Sequence, residues 1–314
     1  MTALQERNCP ICDGEAKTAL FRRPDGLTVR RCEACNTYYV SPAPSEEALA
    51  EFYASYNLNQ GFDELSMHEL RTLLDGTPPF DDMRLRELSS VMDLPGSSIL
   101  DVGFGRAGLM YQLKRLGAEV TGVDPDESAQ IYARVLGIEG TVHGDVSSLD
   151  PNARFDAVIL HDVVEHPLDP IALLRACAAR LLPGGVLQVW TPNGGCIADS
   201  EEPVMLRVDL EHMQYFTTDT CMRVAELLGL RLDHLETVGR FDHPSVHRLQ
   251  QTQARAGNRR RRIFKRAVTS IPGFARLNAL RRGLMRTLHG DGAHVVSVDS
   301  RFGSYHLLCL FRKP

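Results

Sequence analysis

No apolar run in this 314-residue sequence approaches the roughly 20 residues that a membrane span needs. The opening MTALQERNCP has neither a basic n-region nor an apolar h-region, so no signal peptide is expected. Internal repeats and low-complexity tracts are missing too, which sets aside repeat arrays and biased linkers. Acidic residues are absent from one long stretch. Between Ser245 and Gly290 there is no Asp or Glu, while Arg248, Arg255, Arg259 to Arg262, Lys265, Arg266, Arg276, Arg281, Arg282 and Arg286 contribute +12. The net charge is −5, so the remainder carries −17. Such a one-sided block suggests an anionic contact, although many are only solvated faces. Aromatics are scarce within it: Phe264 and Phe274 stand alone, too few for stacking nucleic-acid bases.

What is present suits a soluble globular chain, with 43% hydrophobic and 24% charged residues. The length accommodates one α/β domain plus smaller attachments. The eight cysteines fall into two groups. Cys177, Cys196, Cys221 and Cys309 lie scattered in apolar neighbourhoods, as reduced core residues do, which points to the cytoplasm. Cys9-Pro-Ile-Cys12 and Cys32-Glu-Ala-Cys35 form two tight pairs 19 residues apart. Each C-x-x-C folds into a knuckle offering two thiolates to one tetrahedral metal, and this spacing is that of a zinc ribbon. Four thiolates close the coordination sphere, so Zn²⁺ on Cys9, Cys12, Cys32 and Cys35 would be structural and would supply the ribbon's folding energy.

Four regions follow along the chain: a ribbon over residues 1–42, a helical cap or linker over 43–96, an α/β domain over 97–314, and a basic insertion within it at about 240–300. EEALAEFYASY and DDMRLRELSSVMDL have helical spacing, broken by Thr77 to Pro79 and stopped at Pro95-Gly96. From Ser97, strands SSILDV, AEVTGVD, Thr141 to His143, FDAVILHD and GGVLQVWTP alternate with helices. These are GLMYQLKRLG, ESAQIYARVLG and DPIALLRACAARLLPGG, the last closed by its proline-glycine stop. A helix (TTDTCMRVAELLG), a strand (LRLDHLETVG) and a final strand (SYHLLCLFRK) complete the pattern of a parallel, doubly wound sheet.

At the first of these strand ends, Ile99 to Gly108 reads ILDVGFGRAG, with glycines where a backbone could approach a ligand at a helix N-terminus. Asp124 follows Gly103 by 21 residues, at the end of the next strand, where an acid would hold ribose hydroxyls. Asp101 stands two residues before the first glycine, where dinucleotide binders usually place an apolar residue. His143-Gly-Asp145-Val146, His161-Asp-Val-Val-Glu-His166 and Leu182-Pro-Gly-Gly185 then follow in order. The ordered set resembles the class I methyltransferases, which have a Rossmann-like fold and use S-adenosylmethionine; the resemblance covers roughly residues 97–238 plus the last strand. It implies that Gly103, Phe104 and Gly105 line the methionine portion of the cofactor, with Asp101 near its amino group. It further implies that Asp124 and Pro125 meet the ribose, that Asp145 and Val146 meet the adenine, and that His161, Asp162 and Val163 form the pocket floor. The family's third glycine falls where this chain has Ala107.

Methyl transfer from a sulfonium needs an aligned nucleophile and, for a hydroxyl acceptor, a base. Two histidines stand after sheet strands: His166, and His212 in Asp209-Leu-Glu-His-Met-Gln-Tyr-Phe216. The second stretch resembles the E-H-x-x-x-F element of methyltransferases acting on sugars, quinone precursors and natural products. Asp162, Glu165 and His166 are similar to the E-x-x-E-H cluster of quinone-biosynthesis O-methyltransferases, which implies a catalytic Mg²⁺, although aspartate replaces the first glutamate. The cysteine pairs, Tyr39-Val-Ser-Pro-Ala-Pro and a helix with Phe52, Tyr53 and Tyr56 look like bacterial zinc-ribbon methyltransferases of polysaccharide, glycolipid or secondary-metabolite pathways.

The leading expectation is O-methylation of a small molecule, sugar or glycolipid, with Glu165, His166 and His212 as catalytic candidates. Apolar positions Ile263, Ala267, Ile271, Phe274, Leu277, Leu284 and Leu288 recur at helical spacing amid the arginines. Such a surface could rest on the inner, anionic face of a membrane, hold a lipid-linked glycan, or pack its stripe on the protein itself. Alternative readings are an RNA methyltransferase using the ribbon and the arginines, transfer of the cofactor's aminocarboxypropyl group, and a non-catalytic cofactor-binding scaffold.

Overall fold

The computed structural model describes residues 4–23, 25–53, 64–195, 211–238, 295–297 and 306–314. Near the N-terminus, short strands β1 (Leu4–Gln5) and β5 (Ala43–Pro44) pair with each other, and β2 (Lys17–Arg22), β3 (Thr28–Cys32) and β4 (Tyr38–Val40) form an antiparallel ribbon. Three cap helices follow: α1 (Glu46–Tyr53), α2 (Glu64–Gly76) and α3 (Met83–Ser89).

The α/β alternation then builds β6 (Ser98–Val102), α4 (Gly108–Arg115), β7 (Glu119–Asp124), α5 (Glu127–Val135), β8 (Thr141–His143), β9 (Phe155–His161), α6 (Pro170–Ala179) and β10 (Leu181–Pro192). β11 (Gln214–Tyr215), α7 (Thr218–Leu228), β12 (Arg231–Val238), β13 (Val295–Ser297) and β14 (His306–Arg312) complete the chain. The eight-stranded sheet has the order β13-β12-β14-β10-β9-β6-β7-β8. β14 runs antiparallel to both its neighbours, and the other pairings are parallel. Strand order reverses between β6 and β9, so the crevice at their C-terminal ends is where ligands of such sheets bind.

Local chemistry sets these boundaries. β6 and β9 are almost wholly buried because helices cover both faces, which is why they read as continuous apolar runs. Asp126, Asp169 and Thr217 cap α5, α6 and α7 through backbone N–H groups, and α7 ends at the left-handed Gly229. Leu85 and Leu88 of α3 bury against Ile99, Leu113, Ile159 and Leu310, fastening the cap to the sheet.

Two expected boundaries move. Helix α6 ends at Ala179, and LLPGG opens β10: Leu181 pairs with Phe155, and the ladder resumes at Val186 after a bulge that absorbs Pro183 and both glycines. Helix α3 stops at Ser89, short of Pro95-Gly96, where the Ser90 hydroxyl donates back to the Glu87 carbonyl. Of the expected helical insertion at 240–300, only Val295–Ser297 lies within the described residues, and it is a strand pairing with β12. Tyr56 and Cys196 also lie outside them. Among the described residues no helix is long and apolar enough to cross a membrane.

The ribbon shares a sheet with the α/β domain. β11 pairs with β4, giving the order β11-β4-β3-β2, and Met213 and Tyr215 pack with Val29, Tyr38 and Val40. Cys9, Ile11, Cys35 and Tyr39 belong to the same apolar cluster as Phe216, Cys221 and Val224. The boundary drawn at residue 42 is therefore crossed by both a sheet and a core.

Phe104 lies over β7 at Gly122, where an added Cβ would come 2.6 Å from its ring and 2.8 Å from the Met110 sulfur. Gly122→Val should overpack this point by about 1–3 kcal/mol, lowering the thermal midpoint and displacing Phe104 from its loop. Melting curves check the first effect and the variant's affinity for S-adenosylhomocysteine the second.

Candidate active site

The loop after β6 is shaped by close contact. Gly103 has φ +70°, and a Cβ there would sit 2.7 Å from Val163 Cγ2, in the turn after β9. Only glycine lets these two loops touch. The Gly105 N–H donates to Asp124 Oδ2 and the Asp126 N–H to Asp124 Oδ1, both at 2.8 Å, so the carboxylate ending β7 fastens the loop. Ala107 starts α4 at φ +55°, a left-handed backbone that disfavours alanine by about 1–2 kcal/mol and explains the family's glycine there.

Asp101 is 4% exposed, and burial, with Asp124 nearby, pushes its carboxyl up to about 8 against the opposing pull of Arg84. Burial likewise pushes Asp124 up to about 6, despite the two backbone donors. The Pro125 carbonyl accepts from His143 Nε2 at 3.0 Å, tying β7 to β8. Asp145 is exposed and caps a short turn through the Ser147 N–H, while Val146 beneath it is buried. The crevice thus gathers Asp101, Gly103, Phe104, Gly105, Asp124 and Val163. His161 turns to Gln188, which carries the contact on to the Arg84 carbonyl, and burial pushes its imidazole down to about 3.

The turn after β9 holds the catalytic candidates. Asp162 takes a left-handed φ of +54° there, the kind of local strain that clusters at functional sites. Its carboxylate lies 3.7 Å from His306 Nε2. Glu165 is fully buried, with Oε2 accepting from the Thr191 hydroxyl at 2.9 Å. Among the described residues its Oε1 has no hydrogen-bond partner, and it faces His212 Nε2 at 3.9 Å. His166 and His212 meet edge to face at 4.9 Å. His166 Nε2 lies 3.0 Å from the Asp162 carbonyl, which can only accept, so this nitrogen carries the proton. Nδ1 is then the lone-pair nitrogen, and it accepts from the Tyr53 hydroxyl of α1 at 2.7 Å. Both ring nitrogens of His166 are engaged, whereas His212 Nδ1 is buried and has no partner among the described residues.

Burial holds His166 down to about 4 and His212 well below the ordinary imidazole range, with Arg23 and the neighbouring histidines adding to the effect on His212. Glu165 is raised by burial and by Asp162. Both imidazoles are therefore neutral at pH 7.

The expected acidic cluster changes membership. Atoms of Glu165, His166 and His212 come within 4.8 Å of one another, while Asp162 faces His306. The four cysteine sulfurs also gather within 4.8 Å, with Cys9–Cys35 and Cys12–Cys32 each 3.5 Å apart. Tyr53, Thr191 and Arg23 were not identified as site residues from sequence. Tyr53 was visible within its aromatic helix, whereas Arg23 lies far from the site in sequence and carries no motif.

A family model described as "Methyltransferase domain" matches residues 80–235. Among curated proteins, the ubiquinone biosynthesis O-methyltransferase of Xanthomonas oryzae pv. oryzae is 41% identical over 118 residues, covering 35% of this chain and 49% of that protein. The enzyme of the same name from Bradyrhizobium diazoefficiens is 39% identical over 113 residues, covering 34% and 45%. The chain thus spans about half the length of these relatives. A SAM-dependent methyltransferase structure from Archaeoglobus fulgidus aligns over 80% of this chain and all of that one, at 18% identity and a TM-score of 0.48. Taken with the ordered glycine loop and strand-end acids, the match makes residues 80–235 a methyltransferase domain of the class I, S-adenosylmethionine-dependent type.

Proposed function

We propose that the chain transfers the methyl group of S-adenosylmethionine to a hydroxyl oxygen of a small-molecule acceptor, with sugar and glycolipid intermediates within that class, and that His212 removes the hydroxyl proton. The observation that carries this reading is the neutral, buried His212 with an unpartnered Nδ1, in a group reached through the turn whose Val163 packs on the cofactor glycine. His166 is less suited to direct proton removal, since its lone pair already holds the Tyr53 hydroxyl. Glu165 Oε1, facing His212 Nε2 at 3.9 Å, is placed to orient the imidazole so that Nδ1 is the nitrogen left free. Oxygen as the accepting atom is also supported by the names of the curated relatives.

The cofactor supplies an activated methyl group when bound. Asp101 is suited to its ammonium, because a buried carboxyl that accepts no hydrogen bond among the described residues gains from a cation. Asp124 is suited to the ribose hydroxyls, Asp145 and Val146 to the adenine. Two imidazoles and one carboxylate are a nitrogen-rich set, unlike the all-oxygen shell Mg²⁺ demands, and do not fit that ion. The cysteine cluster, by contrast, suits Zn²⁺: thiolates about 2.3 Å from one metal lie about 3.8 Å apart, near the observed spacing.

Incubation with labelled S-adenosylmethionine and a panel of catechols, phenols and sugar glycosides tests the reaction, and labelling of carbon or nitrogen instead of oxygen would overturn it. With an acceptor in hand, His212→Gln should lower kcat by about 10²–10⁴-fold while S-adenosylhomocysteine affinity stays unchanged. Asp124→Ala should instead lose that affinity, as calorimetry would read.

Cofactor binding should release a proton. The Asp101 carboxyl is largely protonated at pH 7 and ionises when an ammonium arrives, so affinity rises with pH from about 6 to 7.5 by up to about tenfold per unit. Calorimetry in buffers of different ionisation enthalpy checks this, and Asp101→Asn should flatten the dependence. Elemental analysis should find one zinc per chain, and Cys12→Ser should lower both zinc content and the melting temperature.

A further inference from the structure

Arg23 follows β2 in the ribbon, yet its side chain is only 2% exposed and reaches the active-site loop. One edge of its guanidinium grips Asp25, Nη2 donating to Oδ2 at 2.7 Å and Nε to Oδ1 at 3.3 Å. Asp25 in turn accepts the Leu27 N–H, so the ribbon's own hairpin fixes the guanidinium plane. The remaining nitrogen, Nη1, crosses to donate to the His212 carbonyl and to the Tyr215 hydroxyl. Other contacts hold the same loop from both sides. The Val40 N–H of β4 donates to the Met213 carbonyl, and Arg7 donates to Gln214. From the catalytic side, the Glu165 carbonyl accepts from the Met213 and Gln214 N–H groups. Among the described residues, Arg23 is the ribbon side chain that hydrogen-bonds to His212 itself.

We infer that Arg23 is a positioning residue through which the four-cysteine ribbon holds His212 against Glu165, so that the ribbon completes the catalytic site. The inference rests on the reading of His212 as the base. A buried cation bound on one edge to a fixed carboxylate is a rigid arm, and its other edge fixes the backbone from which His212 projects. The cofactor loops after β6 and β7 make none of these contacts, and the turn after β9 makes them through the Glu165 carbonyl alone among the described residues. Arg23 therefore governs proton removal and leaves cofactor binding alone.

The test compares Arg23→Gln and Arg23→Lys with the natural chain. Each variant is first shown to be folded by S-adenosylhomocysteine affinity within about twofold of the natural value, since nothing that holds that ligand is touched. Amide exchange at His212 and Met213 should quicken by about tenfold or more in Arg23→Gln, as expected for losing a charged hydrogen bond, while exchange across β2 and β3 stays unchanged. Acylation of His212 by diethyl pyrocarbonate, located by peptide mass spectrometry, should quicken in parallel. Arg23→Lys, which keeps the charge and a donor, should fall between the two. With an acceptor in hand, kcat should drop while KM for S-adenosylmethionine holds.

Unchanged exchange and acylation at His212 in folded Arg23→Gln would overturn the proposal, as would a loss of protection spread equally over β2 and β3. If no acceptor is ever methylated, the proposed reaction fails, but exchange and acylation still decide the role of Arg23.

Discussion

The contact between Gly103 and Val163 is the constraint on which the site depends. Two parallel strands, β6 and β9, deliver two loops to the same end of the sheet, and the first has no side chain so that the second can lie against it. Every other placement follows from that approach. Asp124 ties the glycine loop from β7, Phe104 covers Gly122, and the turn beyond Val163 carries Glu165 and His166 into the crevice. A methyl group at position 103 would part the two loops and the groups that each carries.

Burial then sets the charge state of what the crevice contains. Asp101 and Glu165 are raised towards neutrality, and His166 and His212 are lowered towards it, so four ionisable groups sit in the interior largely uncharged. An interior prepared in this way favours a ligand that brings a cation and a reaction that moves a proton. A sulfonium donor beside an unpartnered carboxyl and a neutral imidazole satisfies both conditions.

Much of this was legible in the sequence because the informative residues lie on short, local patterns. The strand-end acids Asp101, Asp124 and Asp145 and the glycines between them are ordered by the α/β alternation itself, and the cysteine pairs by their spacing. Asp162 was placed with Glu165 and His166 by their resemblance to the E-x-x-E-H cluster, but the backbone at Asp162 is left-handed and its carboxylate lies by His306. His212, marked out by its own local pattern, takes that place from a distant loop, and the meeting with Glu165 and His166 is what sequence spacing did not disclose. LLPGG reads as a helix stop, yet β-ladder pairing to Phe155 overrode that turn chemistry. The basic stretch falls outside the described residues, and its role stays an expectation of charge and periodicity.

The ribbon shows why a small four-cysteine module can be more than an appendage. A segment of this size with four buried or half-buried thiols has little apolar core of its own, and here it borrows one. Tyr39 and the cysteines pack into the same cluster as α7, and β4 takes its outer partner from the segment after His212. Dependence runs in both directions, because the borrowed strand is also the backbone of the active-site loop. The loop crosses from Glu165 to the ribbon with its peptide groups divided between them: N–H groups of Met213 and Gln214 go to the catalytic turn, and carbonyls of His212 and Met213 go to Arg23 and Val40. A histidine held in this way has its position fixed by two modules at once.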